Sequence, residues 1–375
     1  MTFPFEALRR FPDVEAANLY AVDGTDRLLL DETAAVWAGL SARDTVVIGD
    51  RYGALTLGLL HELPTATQPL RVHQDGLSGE RALALNAGRV GIDPVRFENL
   101  PLGGDLLRGA RLVLLQLPRS LDALDEIAGA VARHAPGATL YAGGRLKHLT
   151  LAMNDVLGRH FGSVLASRAR QKSRLLVARD ALPGIPATDP FPRRRVDGAL
   201  GIEVWAYGAA FGGPRIDPGS RLLLGVIDGA LPSARRVIDL GCGTGVLARR
   251  RPVVSVIATD HSAAAVLSAR ETVQHNGVAD RVTVVRDDGL DGQPDSSADL
   301  ILLNPPFHIG ATVHAGIAHK LFAHAARVLR PGGELWTVYN SHLGYRPALE
   351  RAIGPTRQVT RDRTFTVTAS TRRPG

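Results

Sequence analysis

Asn304-Pro305-Pro306-Phe307 closes an apolar run from Ala298 to Leu303, and some sixty residues upstream stands Val237-Ile238-Asp239-Leu240-Gly241-Cys242-Gly243-Thr244-Gly245. An amide nitrogen, or an exocyclic amine conjugated to a ring, is a poor nucleophile because its lone pair is delocalised. Hydrogen bonds from such an NH2 to the Asn304 side-chain oxygen and the Pro305 carbonyl favour pyramidalisation and localise that lone pair. Pro305 and Pro306 fix the loop and bring no N–H donor, which leaves acceptors facing the incoming group. Phe307 offers a flat apolar surface for stacking, which a base taken out of its own stack requires. No strong general base is needed, since the proton leaves readily once the nitrogen is alkylated and cationic. The chemistry open to this set is transfer of a methyl group from a sulfonium to a planar nitrogen.

The upstream glycines are the place for the donor. Gly241, Gly243 and Gly245 let the chain turn tightly and let a nucleoside touch bare backbone. Asp239 can anchor that loop or a ligand's ammonium. Asp260, about 20 residues on, is spaced to accept from two ribose hydroxyls. Asp288 is spaced to accept from an adenine amino group, with Asp287 the competing choice. A glycine turn of this kind also serves dinucleotides; the Asn304 segment tips the reading toward a sulfonium donor.

Alternating strand and helix signals must position these residues. Strands are predicted over Arg236–Leu240, Val253–Thr259, Val282–Arg286, Leu300–Leu303 and Glu334–Tyr339. Helices are predicted from near Val246, over His261–Asn276 and over Ala315–Leu329, the last stopped by Arg330-Pro331-Gly332-Gly333. In such parallel sheets ligands bind beyond the carboxyl ends of the strands, where every residue above falls.

The chain also repeats itself. Thr45 to Gly53 aligns without gaps on Val237 to Gly245, an offset of 192. Leu115-Gln116-Leu117-Pro118-Arg119 lies over Leu303 to Phe307 at 188, and Ala135 to Ala138 over Arg330 to Gly333 at 195. The first copy has Val47 for Asp239, Arg51 for Gly243 and Gln116 for Asn304, and lacks the proline–aromatic set. It reads as a catalytically dead copy kept for packing or substrate binding, Arg51 filling the space a cofactor would use.

Composition sets the frame. With 375 residues and 45% apolar content, two globular domains are expected. No signal peptide or membrane span is evident, and one cysteine, Cys242, fits a reducing compartment, so cytoplasm is the expected location. The net charge of +7 and a pI near 10.0 suit a protein that meets polyanions. Eight Lys/Arg lie between Arg168 and Arg195, and a proline-rich stretch from Ala181 to Pro192 is the linker candidate.

The segments Asp239–Gly245 and Asn304–His308 resemble the S-adenosylmethionine-dependent methyltransferases of exocyclic and amide nitrogens. The longer run Asn304 to Gly310, Phe211, and Ile216-Asp217-Pro218-Gly219-Ser220-Arg221-Leu222-Leu223-Leu224 are similar to the ribosomal RNA guanine-N2 methyltransferases. Tyr339 to Tyr345 leans toward the large-subunit branch. The resemblance implies two tandem Rossmann-like class I methyltransferase folds, each a mostly parallel seven-stranded sheet, the N-terminal one degenerate. Residues 1–185 would be that degenerate RNA- or substrate-binding domain, 186–200 a linker and 201–375 the catalytic domain. Asp239, Gly241, Gly243, Gly245, Asp260 and Asp288 would hold S-adenosylmethionine, which Asn304 would also touch. Asn304, Pro305 and Phe307 would grip the target guanine, with Phe211, Asp217, Ser220, Pro306 and His308 on the substrate side. The partner would be ribosomal RNA or a ribosomal subunit, with no membrane and no metal, and the protein a monomer. Competing acceptors are a DNA adenine N6 or a protein glutamine amide; a competing class is a non-catalytic RNA-binding assembly factor.

Other signals point less to chemistry. His308, His314, His319 and His324, spaced 6, 5 and 5, do not share one helical face and lack the partners of a metal site. Cys242 reads as a small packing residue in the turn, Trp336 and Tyr339 as core. Arg346, Arg351, Arg357, Arg361 and Arg363 line a phosphate path or solvate a surface.

Overall fold

The computed structural model describes residues 3–63, 68–184, 189–230, 232–249, 255–306 and 315–374. The chain divides into two compact units, Met1–Phe191 and Pro192–Gly375. In the first, strands run β1 Thr45–Ile48, β2 Leu70–His73, β3 Phe97–Asn99, β4 Leu112–Gln116, β5 Thr139–Arg145, β6 Phe161–Ala166 and β7 Ser173–Ala181. The second opens with a hairpin, β8 Arg193–Asp197 and β9 Ile202–Ala206. It continues with β10 Arg236–Leu240, β11 Ser255–Asp260, β12 Val282–Arg286, β13 Ala298–Leu303, β14 Leu329–Asn340, β15 Thr356–Arg361 and β16 Phe365–Thr371.

The two large sheets have one topology. Their orders are β3-β2-β1-β4-β5-β7-β6 and β12-β11-β10-β13-β14-β16-β15. In each, the first five positions pair in parallel and the last two antiparallel. β1 therefore occupies the place of β10 and β4 that of β13, as the internal alignment requires, and Gln116 stands where Asn304 does. Two tandem seven-stranded folds are what the sequence led one to expect.

Alternation along the strands explains the layers of the second unit. Val237, Leu300, Leu302 and Trp336 pack with helices Pro218–Leu224 and Ala263–His275 on one face; Ile238, Ile301, Leu303 and Leu335 pack with helix Ala315–Val328 on the other. β13 is buried at every position, the continuous apolar run of a strand covered on both sides. Phe322 and Trp336 are fully buried, each stabilising the fold by about 2–3 kcal/mol.

Three differences from the sequence reading have local causes. The segment 186–200, read as a linker, contains β8, and β9 is tied to helix Ala263–His275. There Trp205 N donates to Thr272 Oγ1 at 3.1 Å, Tyr207 N to Ser268 Oγ at 2.9 Å, and Trp205 stacks on His275 at 4.4 Å. Arg193, Arg194 and Arg195 thus belong to a strand, and Arg194 pairs with Glu203. The turn at Arg330–Gly333 does not separate helix from strand: Leu329 already pairs with Ala298, and pairing resumes at Glu334 opposite Leu300. Helix Ala263–His275 starts two residues later than expected because Ser262 caps it, accepting from Ala265 N at 3.1 Å.

Candidate active site

Register brings the site together. In the sheet Leu240 lies opposite Thr259 of β11 and Leu303 of β13. The next residue of each strand or its extension, Gly241, Asp260 and Asn304, therefore emerges side by side at the carboxyl edge, where the strand order reverses.

The glycine turn is pinned from below. Gly241 N and Cys242 N both donate to Thr259 O, at 2.8 and 2.9 Å. Gly243 N donates to Asp260 Oδ2 at 3.0 Å, and Ser262 N to Asp260 Oδ1 at 2.9 Å. Gly241 and Gly243 have φ of +69° and +53°, and a Cβ at either would meet no atom within 4 Å. Glycine is demanded there by backbone conformation, and the space above the turn stays clear. At Gly245 a Cβ would come 3.0 Å from that of Ala269, a packing contact between turn and helix.

Asp239 divides its two oxygens between tasks. Oδ2 accepts from Ala248 N at 3.1 Å and anchors the helix that follows the turn, while the buried Oδ1 has no partner among the described residues. Burial, then the neighbouring Asp260 charge, pushes its carboxyl up to about 7. Cys242 is buried, and burial with the Asp260 and Asp239 charges raises its thiol well above the usual range, which removes it as a nucleophile.

Asp287 and Asp288 end the β12 segment with different partners. Asp287 Oδ2 accepts from Gly292 N at 3.0 Å; both Asp288 oxygens lie 2.8 Å from Lys320 Nζ. His324, one turn on from Lys320, accepts at Nδ1 from Leu290 N at 3.1 Å, and burial lowers its imidazole pKa, so it serves the loop as a neutral ring. Arg327 Nη1 donates to Gln293 O at 2.7 Å. The 320-324-327 stripe thus clamps loop 287–293. Lys320 was missed from the sequence; polar residues at i, i+4 and i+7 of an otherwise apolar helix are the signal that could have found it.

Asn304 is held by the chain before the first strand. Its Nδ2 donates to Asp217 Oδ2 at 2.7 Å and to Ser220 Oγ at 3.0 Å, and its buried Oδ1 has no partner among the described residues. Asp217 itself caps helix Pro218–Leu224, accepting from Ser220 N at 3.0 Å. Asp217 and Ser220, read as substrate-side residues, here contact Asn304 and set its amide. Pro305 is buried and Pro306 exposed; Phe307 and His308, like His314, lie outside the described residues. Phe211 is 81% exposed, a large ring in water upstream of Asp217.

Residues 201–369 match the family described as Methyltransferase small domain, and residues 2–181 the RLMG N-terminal domain. The Streptomyces avermitilis protein named Ribosomal RNA large subunit methyltransferase G is 36% identical over 98% of this chain and 97% of its own. A Pseudomonas aeruginosa protein of the same name is 34% identical over 96% of each. The chain belongs to the ribosomal RNA large subunit methyltransferase G family. In fold it is similar to the T. Thermophilus 16S rRNA N2 methyltransferase RsmC, solved with AdoMet and guanosine. That likeness has a TM-score of 0.71, covers 94% of this chain and 92% of that one, and carries 21% identity.

Membership of the family makes the protein an S-adenosylmethionine-dependent methyltransferase of ribosomal RNA. The residues present fit that donor: a clear space over two left-handed glycines, a half-buried carboxylate beside it, and an unpartnered buried carboxyl oxygen for an ammonium. Among the described residues no helix is long and apolar enough to cross a membrane, and no cluster of three or more His, Cys, Asp or Glu could hold a metal ion.

Proposed function

We propose that the protein methylates the exocyclic N2 amine of a guanine in large-subunit ribosomal RNA, using the second unit as the catalytic domain. The observation that carries this reading is the buried Oδ1 of Asn304, without a partner among the described residues, whose amide is fixed by Asp217 and Ser220. An amide locked through its NH2 can only offer its oxygen to the site, and an oxygen acceptor is what a target NH2 needs. The Pro305 carbonyl, with no proline N–H competing, supplies a second acceptor. Together they draw the two amine hydrogens out of conjugation and turn the nitrogen lone pair toward the donor. Phe307, with Phe211, Pro306 and His308, forms the apolar and stacking side of the base site.

When bound, S-adenosylmethionine would supply an electrophilic methyl on its sulfonium, the S–CH3 bond breaking in line as the N–CH3 bond forms and the thioether leaving. On its side, Asp239 Oδ1 would hold the ammonium, Asp260 would accept from the ribose hydroxyls through lone pairs left after Gly243 and Ser262, and Asp288, its position set by Lys320, would accept from the adenine. Gly241, Gly243 and Gly245 keep the backbone close to the nucleoside. Support for the N2 of guanine comes from the structural neighbour, an N2 methyltransferase solved with guanosine. We place the protein in the cytoplasm, acting as a monomer.

The decisive test is labelled-methyl transfer to unmodified large-subunit rRNA, small-subunit rRNA, DNA and protein, followed by nucleoside analysis. N2-methylguanosine in large-subunit rRNA is the expected product. Label in N6-methyladenine, methylglutamine or small-subunit RNA alone would replace this reading.

A further inference from the structure

The first unit holds a cavity of about 280 Å³ at the carboxyl edge of its sheet, where the second unit has its donor site. Gly49, which follows Ile48 of β1, sits at its wall as Gly241 does beyond β10, and Gln116 stands in the place of Asn304. Two substitutions invert the character of the space. Arg51 replaces Gly243 and Arg119 replaces Phe307 in the internal alignment, and both line the cavity, as do Arg145 and Lys147 from the turn after β5.

We infer that this cavity is a binding site for the phosphodiester backbone of RNA. The inference rests on the ribosomal RNA reading above. Arg51 and Lys147 are exposed and form no hydrogen bond or ion pair among the described residues. Arg119 Nη2 lies 3.3 Å from His148 Nε2, and Arg145 reaches no nearer than 3.9 Å to Asp23. Arg51, Arg119, Arg145 and Lys147 all line the cavity around His148, whose pKa burial and then their positive charges hold below its usual range. Of the carboxyls that line the cavity, Asp23 lies 3.9 Å from Arg145, Asp26 is pushed up to about 8, chiefly by burial, and Asp50 is raised by burial while accepting from Thr56 N at 2.7 Å, which leaves the cations in excess. Such a concave cluster repels a donor that carries a sulfonium and an ammonium and attracts a polyanion. Phosphate oxygens would meet the guanidinium forks of Arg51 and Arg119 in charge-assisted hydrogen bonds.

The test compares two double variants by equilibrium binding to protein-free large-subunit rRNA at several salt concentrations. One is Arg51→Ala with Lys147→Ala, both side chains without a structural partner. The control is Arg43→Ala with Arg111→Ala, an equal loss of charge at the opposite, amino edge of the same sheet. The cavity pair is expected to weaken binding about tenfold more than the control and to lower the slope of log K against log salt by about one to two. S-adenosylmethionine affinity should stay at the wild-type value in both. Equal affinity and slope for the two pairs would overturn the inference. Failure of wild-type protein to methylate rRNA, with the slope difference intact, would instead remove the functional reading and leave the cavity as an RNA site.

Discussion

Asn304 and Asp217, 87 positions apart, meet through a 2.7 Å hydrogen bond in which the amide NH2 donates and the carboxylate accepts. An asparagine amide is nearly symmetric in shape, and which end faces a ligand is settled by its partners. Asp217 and Ser220 take the NH2 end, so the oxygen is left for the reaction.

Replacing Asp217 should therefore damage turnover more than binding. Asp217→Asn keeps a helix cap, which alanine would lose at about 1 kcal/mol, yet can present its own NH2 and turn the Asn304 amide over. We expect kcat to fall about 100-fold, with S-adenosylmethionine affinity and melting temperature close to wild type. A lower affinity with kcat intact would show that Asp217 serves the donor rather than the amide.

Asp239 ties donor affinity to pH. Its neutral form is favoured in the folded protein, a contribution to stability that is complete below the unfolded value near 4 and lost as pH rises through about 7. An ammonium favours the opposite, ionised form. Calorimetric affinity for S-adenosylmethionine should drop about tenfold per pH unit below 7 and level off just above it. Asp239→Asn should bind weakly with no such slope; a slope retained in that variant would assign it to another group.

Gly243→Ala isolates the clear space over the turn. The left-handed backbone costs an alanine about 1–2 kcal/mol, and the added carbon touches no protein atom. The variant should fold, melt a few degrees lower and bind the donor at least about tenfold more weakly. Wild-type affinity would mean that the nucleoside lies elsewhere.

Phe211→Ala should raise KM for rRNA severalfold while leaving donor affinity unchanged. At 81% exposure the ring contributes little to the fold, so the stability change should stay within about 0.5 kcal/mol. Unchanged KM would remove Phe211 from the base site.

The sequence carries the strand ends well and their partners poorly. Gly241, Asp260 and Asn304 are legible because each closes an apolar run, and Asp239 because it is the one charge near the end of such a run; a strand's carboxyl end is a local pattern. The Asp217–Asn304 contact was not, since it joins segments that only the sheet brings together; Asp217 could be read as an N-cap before Pro218 but not as an amide holder. Lys320 escaped for the same reason, its partner Asp288 lying 32 positions away. The arginines at 193–195 look like a solvated tether until the hydroxyls of helix Ala263–His275 and the amide of Asn276, which caps its end, are seen to occupy the free edge of the neighbouring strand.

The first unit keeps a counterpart of the Asp217 contact: Gln116 Nε2 donates to Asp26, again a carboxyl group at the start of the helix before the central parallel strand. A tether found in both halves does structural duty of its own, stitching the end of β4 or β13 to the helix that precedes β1 or β10. The first unit departs from the second at the turn and the aromatic, where Arg51 and Arg119 stand for Gly243 and Phe307, so the same scaffold carries a space of reversed polarity.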